Sequence, residues 1–518
     1  MENSPRVKNA VINVIAGGLG TLIIGVLQFV GRIVFIRFLS DDYLGISSLF
    51  TNILSVLSLA ELGLGTAIGY SLYQPLMERD EEKIRAIMSF LKKAYFLIGF
   101  FILMAGMILL PFLPYLVNTT TEVANLNLIY ILYLLQSVSS YWFWAYKSIL
   151  LQADQKNYLI KLYQVITNSV VIVIQILILV INHNFLLYSI VGLTANVFTN
   201  ILAARTVDQK YSYICEKEST RLGQADKKLI LKNVLGMSIF RINMTVGNST
   251  DNLLISAFIN VRIVALYGNY QIVIMGISQV AMQLFEGVTA SVGNLFVDDS
   301  NNNNMFVFQC VQLLCYWIYS FLGIGILVLV NPVIQFCFGS ERLLTDEIVI
   351  LQVIYFMMNG FQRTSFIYRN ACGLFWQGKM RPLFTAILNL ILSVLWVRQY
   401  GLMGVILGTI VSWFMTTWWY DPLVVYKYVF HKPILSYFLG YIKATALTVV
   451  LAAMVVKISL LIPVQGMVQF LLKILLVLVI PNLGYYFIYR KTDEFKYLVE
   501  IVKNMLHKFC DVFGRQRK

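Results

Sequence analysis

The side chains with the most chemistry to offer in this 518-residue chain are charged groups set inside long apolar stretches. Six are basic: Arg32, Arg241, Arg363, Arg369, Lys443 and Lys473. Three are acidic: Glu61, Asp251 and Glu286. An ionisable group at lipid depth is expensive, so each is a functional candidate by default. The planar guanidinium fork grips oxyanions bidentately and stays charged when desolvated, which suits phosphate and diphosphate. A carboxylate beside a broken helix can hold a proton or Na⁺. Glu61 opens such a stretch, ELGLGTAIG, where Gly63, Gly65 and Gly69 weaken the helix and admit close backbone approach. Each residue also has a plainer reading. Arg32 and Arg369 can snorkel to an interface. Arg241 can pair with an acid, and Asp251 can be counter-ion to Arg32 or Arg241, or a cation site. Glu61 and Glu286 can pair with a cytoplasmic-side Arg or Lys. For Lys443, snorkelling or lipid-head contact outranks transport; Lys473 stays open.

These residues need helices to hold them. The chain is 58% hydrophobic and only 13% charged, with mean hydropathy +0.73. A soluble chain carries about 25% charged residues, so lipid must cover much of this one. With a spanning helix taken as about 20 apolar residues, fourteen spans are predicted: 9–38, 43–73, 83–110, 123–151, 158–181, 185–207, 229–259, 263–296, 305–330, 345–374, 380–397, 401–426, 436–462 and 464–489. Several exceed one crossing, so tilt or extension beyond the bilayer is expected.

The net charge of +14 reads as topology, not as nucleic-acid binding. With the N-terminus inside, 29 of the 40 Lys and Arg fall on cytoplasmic segments, five outside and six within spans. The loop 297–304, VDDSNNNN, departs from that bias. Both termini are therefore expected in the cytoplasm. At a rise of about 1.5 Å per residue, Arg32 and Asp251 fall in the outer third and Arg241 near mid-bilayer. Arg363, Glu61 and Glu286 fall in the inner half, with Arg369 at the cytoplasmic edge. If their faces converge, the arginines form a ladder across the bilayer.

Other chemistries are excluded. The six cysteines form no CxxC pair, and His183, His431 and His507 lie far apart, so no metal site, disulfide framework or cofactor is expected. The N-terminal apolar run is too long for a cleavable signal. Gly373 to Lys379 approaches a phosphate-binding loop but lacks the final Ser or Thr and follows a helix, not a strand. Aromatic clusters at Tyr141, Trp142, Phe143, Trp144 and Tyr146, and at Trp413, Trp418, Trp419 and Tyr420, read as an interfacial belt before sugar-stacking platforms.

A weak internal repeat runs at near-constant offset. Lys8-Asn9 recurs as Lys232-Asn233, Glu61 as Glu286, Pro111 as Pro332 and Lys156 as Lys379. A duplication of six helices follows, with the symmetry axis along the membrane normal. The expected organisation is an N-terminal lobe (1–212), a cytoplasmic linker (213–228), a C-terminal lobe (229–428), and two further helices with a basic tail (429–518).

The stretches RIVFIR (32–37), ELGLGTAIGYSLYQPL (61–76), FWQGKMRP (375–382) and GLMGVILGTIVS (401–412) resemble bacterial Wzx-type polysaccharide flippases. That group belongs to the multidrug/oligosaccharidyl-lipid/polysaccharide exporter superfamily. The resemblance implies an all-α, MATE-like fold of two six-helix lobes around a central cavity, plus two helices. It implies a cargo of oligosaccharide repeat units on undecaprenyl diphosphate, moved by alternating access across the bacterial cytoplasmic membrane. The product would be capsule, O-antigen or exopolysaccharide. Arg32, Arg241, Arg363 and Arg369 would contact diphosphate or anionic sugar, and Glu61, Asp251 and Glu286 are the ion-coupling candidates for H⁺ or Na⁺. Membrane lipids, a polysaccharide polymerase and glycosyltransferases are the implied partners. Rival readings are a peptidoglycan-precursor flippase and a MATE-like drug or cation antiporter. A polymerase or membrane glycosyltransferase would carry a long outer loop with catalytic residues. No such loop is predicted, so no enzyme is expected.

Overall fold

The computed structural model describes residues 5–61, 64–117, 125–154, 156–215, 222–224, 227–228, 230, 234, 250–297, 304–372, 374, 377–378, 380–462, 466–500 and 503. Every regular element among them is helical. The chain divides into two compact units, Met1–Gly268 and Asn269–Lys518. That division falls inside a helix, Val261–Val297.

Unit 1 begins with α1 (Pro5–Phe38), α2 (Asp41–Leu57) and the 3-10 turn Ser58–Glu61, then α3 (Leu64–Glu78) and α4 (Glu81–Leu109). The short α5 (Leu113–Leu116), α6 (Leu126–Ser139) and α7 (Lys147–Ala153) follow, then α8 (Asn157–Asn182) and α9 (Phe185–Lys210). A helix at 250–258, α10, and the start of α11 (Val261–Val297) complete it. Local sequence sets these ends. The Asp80 carboxylate caps α4 by accepting from the Lys83 amide at 2.9 Å, with Glu81 and Glu82 in the first turn. Asn184 caps α9 through the Leu186 and Leu187 amides. The predicted continuous span at 123–151 is broken: Phe143 and Trp144 take left-handed φ of 49° and 63° between α6 and α7. Bulky residues there are strained and hold only because the surroundings fix them. Trp142 stacks on Phe96 and its indole donates to the Phe96 carbonyl at 3.3 Å. Only a glycine at position 99 leaves room for that ring.

Unit 2 holds the rest of α11, then α12 (Asn304–Phe338), α13 (Asp346–Phe361), α14 (Arg363–Ala371), α15 (Arg381–Tyr400) and α16 (Leu402–Trp413). A π-helical segment (Phe414–Trp418), α17 (Tyr420–Val425), a second π segment (Tyr426–Phe430), α18 (Leu435–Leu460) and α19 (Met467–Tyr489) follow. The buried share of the apolar window is 56% in α12 and 17% in α19, which makes α12 the central helix of the unit. Phe308 and Tyr316 on α12 meet Phe361, Tyr368, Tyr437 and Tyr441 edge-on or tilted. The predicted span 345–374 is also broken, at Gln362. Its side-chain amide donates to the Thr417 carbonyl at 2.6 Å and to that of Trp418 at 3.3 Å. A π segment frees carbonyls from the regular ladder, and Gln362 satisfies two of them.

Ten described helical stretches are long and apolar enough to cross a membrane, against fourteen expected. The count is lower because the 123–151 and 345–374 spans are broken into shorter helices. In addition, 231–233 and 235–249, much of the seventh expected span, lie outside the described residues, as do most side chains of 5–19. Phe96, Leu97, Phe100, Phe101 and Ile108 on α4 are all exposed. An outer surface this apolar fits lipid and not water.

Candidate functional site

The break after α2 carries Glu61 to the wall of a cavity of about 310 Å³ inside unit 1. Its polar lining includes Glu61, Tyr95 on α4, Gln164 and Asn168 on α8, and Asn196 and Asn200 on α9. The Tyr95 hydroxyl donates to Glu61 Oε1 at 3.4 Å. Gly65 brings the backbone of α3 close to the same oxygen, 3.0 Å from where a Cβ would stand. Asn200 donates its amide to the Ser139 carbonyl at 3.1 Å and Asn196 to that of Gln136 at 3.5 Å. Each NH₂ thus spends one donor on α6, and each Oδ1 remains available as an acceptor. Thr199, also on the cavity wall, shares a hydrogen bond of 2.6 Å with Thr167.

One carboxylate among amide and hydroxyl oxygens is a donor set for a proton or a hard monovalent cation. Among the described residues no three His, Cys, Asp or Glu side chains stand together as a multivalent-metal cage requires. The sequence reading singled out Glu61 but passed over the amides. Their signal was legible: Gln164 and Asn168, and Asn196 and Asn200, sit at i and i+4, which puts each pair on one helix face.

Arg32 is half-buried on α1, and its Nη2 donates to the Ala265 carbonyl of α11 at 3.1 Å. Tyr188 and Asp41 are its electrostatic neighbours. Asp41, buried at the start of α2, faces the guanidinium of Arg262 at 3.7 Å. Asp251 is half-buried in α10. Arg241 lies outside the described residues, and Glu286 lies on α11 with its side chain outside the description.

Unit 2 brings Arg363 and Arg369 together around one ring: their guanidinium carbons lie 5.1 and 5.9 Å from the Phe366 centroid. Arg369 is buried and pairs with Asp421 of α17 at 2.6 Å. Arg381, at the start of α15, pairs with the same carboxylate. Arg363 differs from both. It is half-buried, no carboxylate pairs with it among the described residues, and its Nε is buried without an acceptor. Lys443 is exposed, with its ammonium 5.2 Å from the Tyr489 ring. Lys473 is buried on α19 at 8% exposure. Asp421 was missed in the sequence, where it reads as the polar end of a span beside Pro422.

At the expected cytoplasmic end of unit 1, Lys147 pairs with Asp208. The Tyr211 hydroxyl donates to Asp154 at 2.5 Å and accepts from Lys156 at 3.1 Å. Burial and the nearby Glu81 and Asp154 charges push the Tyr213 phenol up to about 12.

Comparison of the sequence with protein families finds no match, and comparison with curated proteins finds none. The fold does match solved structures. A lipid II flippase, MurJ, in an inward closed conformation superposes with TM-score 0.59 at 16% identity, covering 90% of this chain and 99% of its own. A multidrug-resistance MATE transporter of the MOP superfamily, inward-facing, gives 0.57 at 13%, covering 78% and 94%. An outward-facing MATE structure gives 0.53 at 14%, covering 86% and 97%. The chain is thus an all-α, multi-span membrane protein with the fold shared by MurJ and MATE transporters.

Proposed function

We propose that this protein is a membrane transporter that flips an anionic, lipid-linked oligosaccharide, with undecaprenyl diphosphate as the carrier. It works by alternating access and is driven by a cation bound at the Glu61 cavity. The observation that carries the reading is Arg363. A guanidinium half-buried in an apolar unit without a carboxylate needs an oxyanion from elsewhere, and a diphosphate supplies one with matched bidentate geometry. Arg369 is a poorer candidate, because it is buried and held in an ion pair with Asp421. The absence of a predicted catalytic loop supports transport over polymerisation.

Surface-polysaccharide repeat units are the favoured cargo on the sequence resemblance. The fold match over 99% of MurJ favours a second reading, a peptidoglycan lipid precursor. The two separate in one experiment. In cells producing polymer, Arg363→Ala abolishes export while protein level and membrane insertion are unchanged, and Arg363→Lys restores part of it. Normal export by Arg363→Ala removes the residue from the pathway. Rescue of cells depleted of their lipid II flippase by the wild-type chain would assign the cargo to peptidoglycan instead.

A further inference from the structure

Unit 2 has a second feature that the transport reading does not use. Between α15 and the π segment 414–418 lies a groove of about 680 Å³, lined by Phe384, Ile387, Ile391, Met415 and Trp419. Phe384, Ile387, Ile391, Met415 and Trp419 are all exposed. The π turn widens the gap, because its extra residue displaces Met415 and Trp419 from regular register with α15. Arg381 and Tyr420 stand at one end of the groove. Gly378, at φ 81°, lies against the Tyr420 ring.

The charge at that end does not balance. Arg369 and Arg381 share the single carboxylate of Asp421. The Nε atoms of both arginines are buried without an acceptor. In unit 1 the corresponding helix ends carry Lys147 against Asp208, one to one, and α8 opens on Asn157 and Tyr158 where α15 opens on Arg381 and Pro382.

We propose that this groove binds one anionic phospholipid of the leaflet that the loop charges assign to the cytoplasm. Its phosphate sits against Arg381, the arginine that lines the groove, and one fatty acyl tail lies along α15. The phosphate supplies the negative charge that Asp421 alone leaves short for two guanidinium groups. Anionic lipids concentrate where basic residues meet the cytoplasmic leaflet. From Arg381 to Ile391 α15 rises about 15 Å, which is half of a hydrocarbon core about 30 Å thick. That length fits a tail confined to one leaflet and is short for an undecaprenyl chain. The site does not depend on the transported cargo, because occupancy is read without transport.

The test is native mass spectrometry of the purified full chain, titrated with phosphatidylglycerol and with phosphatidylcholine of the same tails. One phosphatidylglycerol should be retained at least tenfold more tightly than phosphatidylcholine. Arg381→Ala should bring its affinity down to the phosphatidylcholine level. That variant leaves Arg369 and Asp421 paired one to one, so the fold is kept. Ile391→Trp, at an exposed position, should fill the groove and weaken both lipids. Equal binding of the two lipids, or wild-type binding by both variants, overturns the proposal. A co-purifying polyprenyl diphosphate displaced by Ile391→Trp also overturns it, by giving the groove to the carrier.

Discussion

Each unit holds a polar seam between two adjacent helices and finishes it differently. In unit 1, Thr167 on α8 bonds Thr199 on α9. In unit 2, Asn389 on α15 bonds Thr409 on α16 at 3.1 Å. Around the unit 1 seam, the residues three before and one after each partner are Gln164, Asn168, Asn196 and Asn200. Around the unit 2 seam the same steps give Ala386, Leu390, Ile406 and Ile410. Unit 1 therefore keeps an oxygen-lined cavity beside Glu61. Unit 2 satisfies its seam internally, with Ser393 bonding Asn389 at 2.9 Å and Thr385 bonding Thr416 at 2.7 Å. The basic–acidic pairs at the helix ends diverge in the opposite sense: balanced in unit 1, over-charged in unit 2. On the proposed function, unit 1 would hold the cation site and unit 2 the anion site.

The sharpest way to break this comparison is at the ion pairs. Asp421→Ala strands the buried Arg369 and the half-buried Arg381, and a broken buried network costs about 3–5 kcal/mol. Thermal unfolding in detergent should show that loss directly. Asp208→Ala should cost only about 1 kcal/mol, because Asp208 is 37% exposed and the Lys147 stem can carry its ammonium toward water. Equal losses would mean the two pairs are equivalent after all.

A milder intervention turns unit 1 into unit 2. Asn168→Leu combined with Asn196→Ile copies the unit 2 residues into the cavity wall. The folded protein should persist with an unchanged melting temperature, while cation-dependent transport falls at least tenfold. Transport that survives the double variant would detach the cavity from energy coupling.

Much of the fold is legible because lipid imposes it: apolar run length and loop charge place most helices within a few residues. The breaks are harder. Gly63 and Gly65 announce the one after α2. The α6–α7 break has no glycine or proline to mark it, only Phe143 and Trp144 held in left-handed backbone by tertiary contacts. The α13–α14 break depends on Gln362 reaching a π segment 55 residues away, a contact that no local pattern encodes. At the site, Glu61, Arg363 and Arg369 stand out as charges among apolar residues. The amides beside Glu61 do not, since neutral side chains barely alter hydropathy. Nor does Asp421 beside Pro422, whose role emerges only when α14, α15 and α17 meet.

The most direct test of the account places purified protein in proteoliposomes with a labelled oligosaccharide on a polyprenyl diphosphate, under an imposed H⁺ or Na⁺ gradient. The wild-type chain should accumulate label in one leaflet when one of those gradients is applied. Glu61→Gln, which keeps size and hydrogen bonding but discards the charge, should equilibrate the label without accumulating it. Undiminished accumulation by Glu61→Gln, or no movement of label by the wild-type chain under either gradient, would contradict the account.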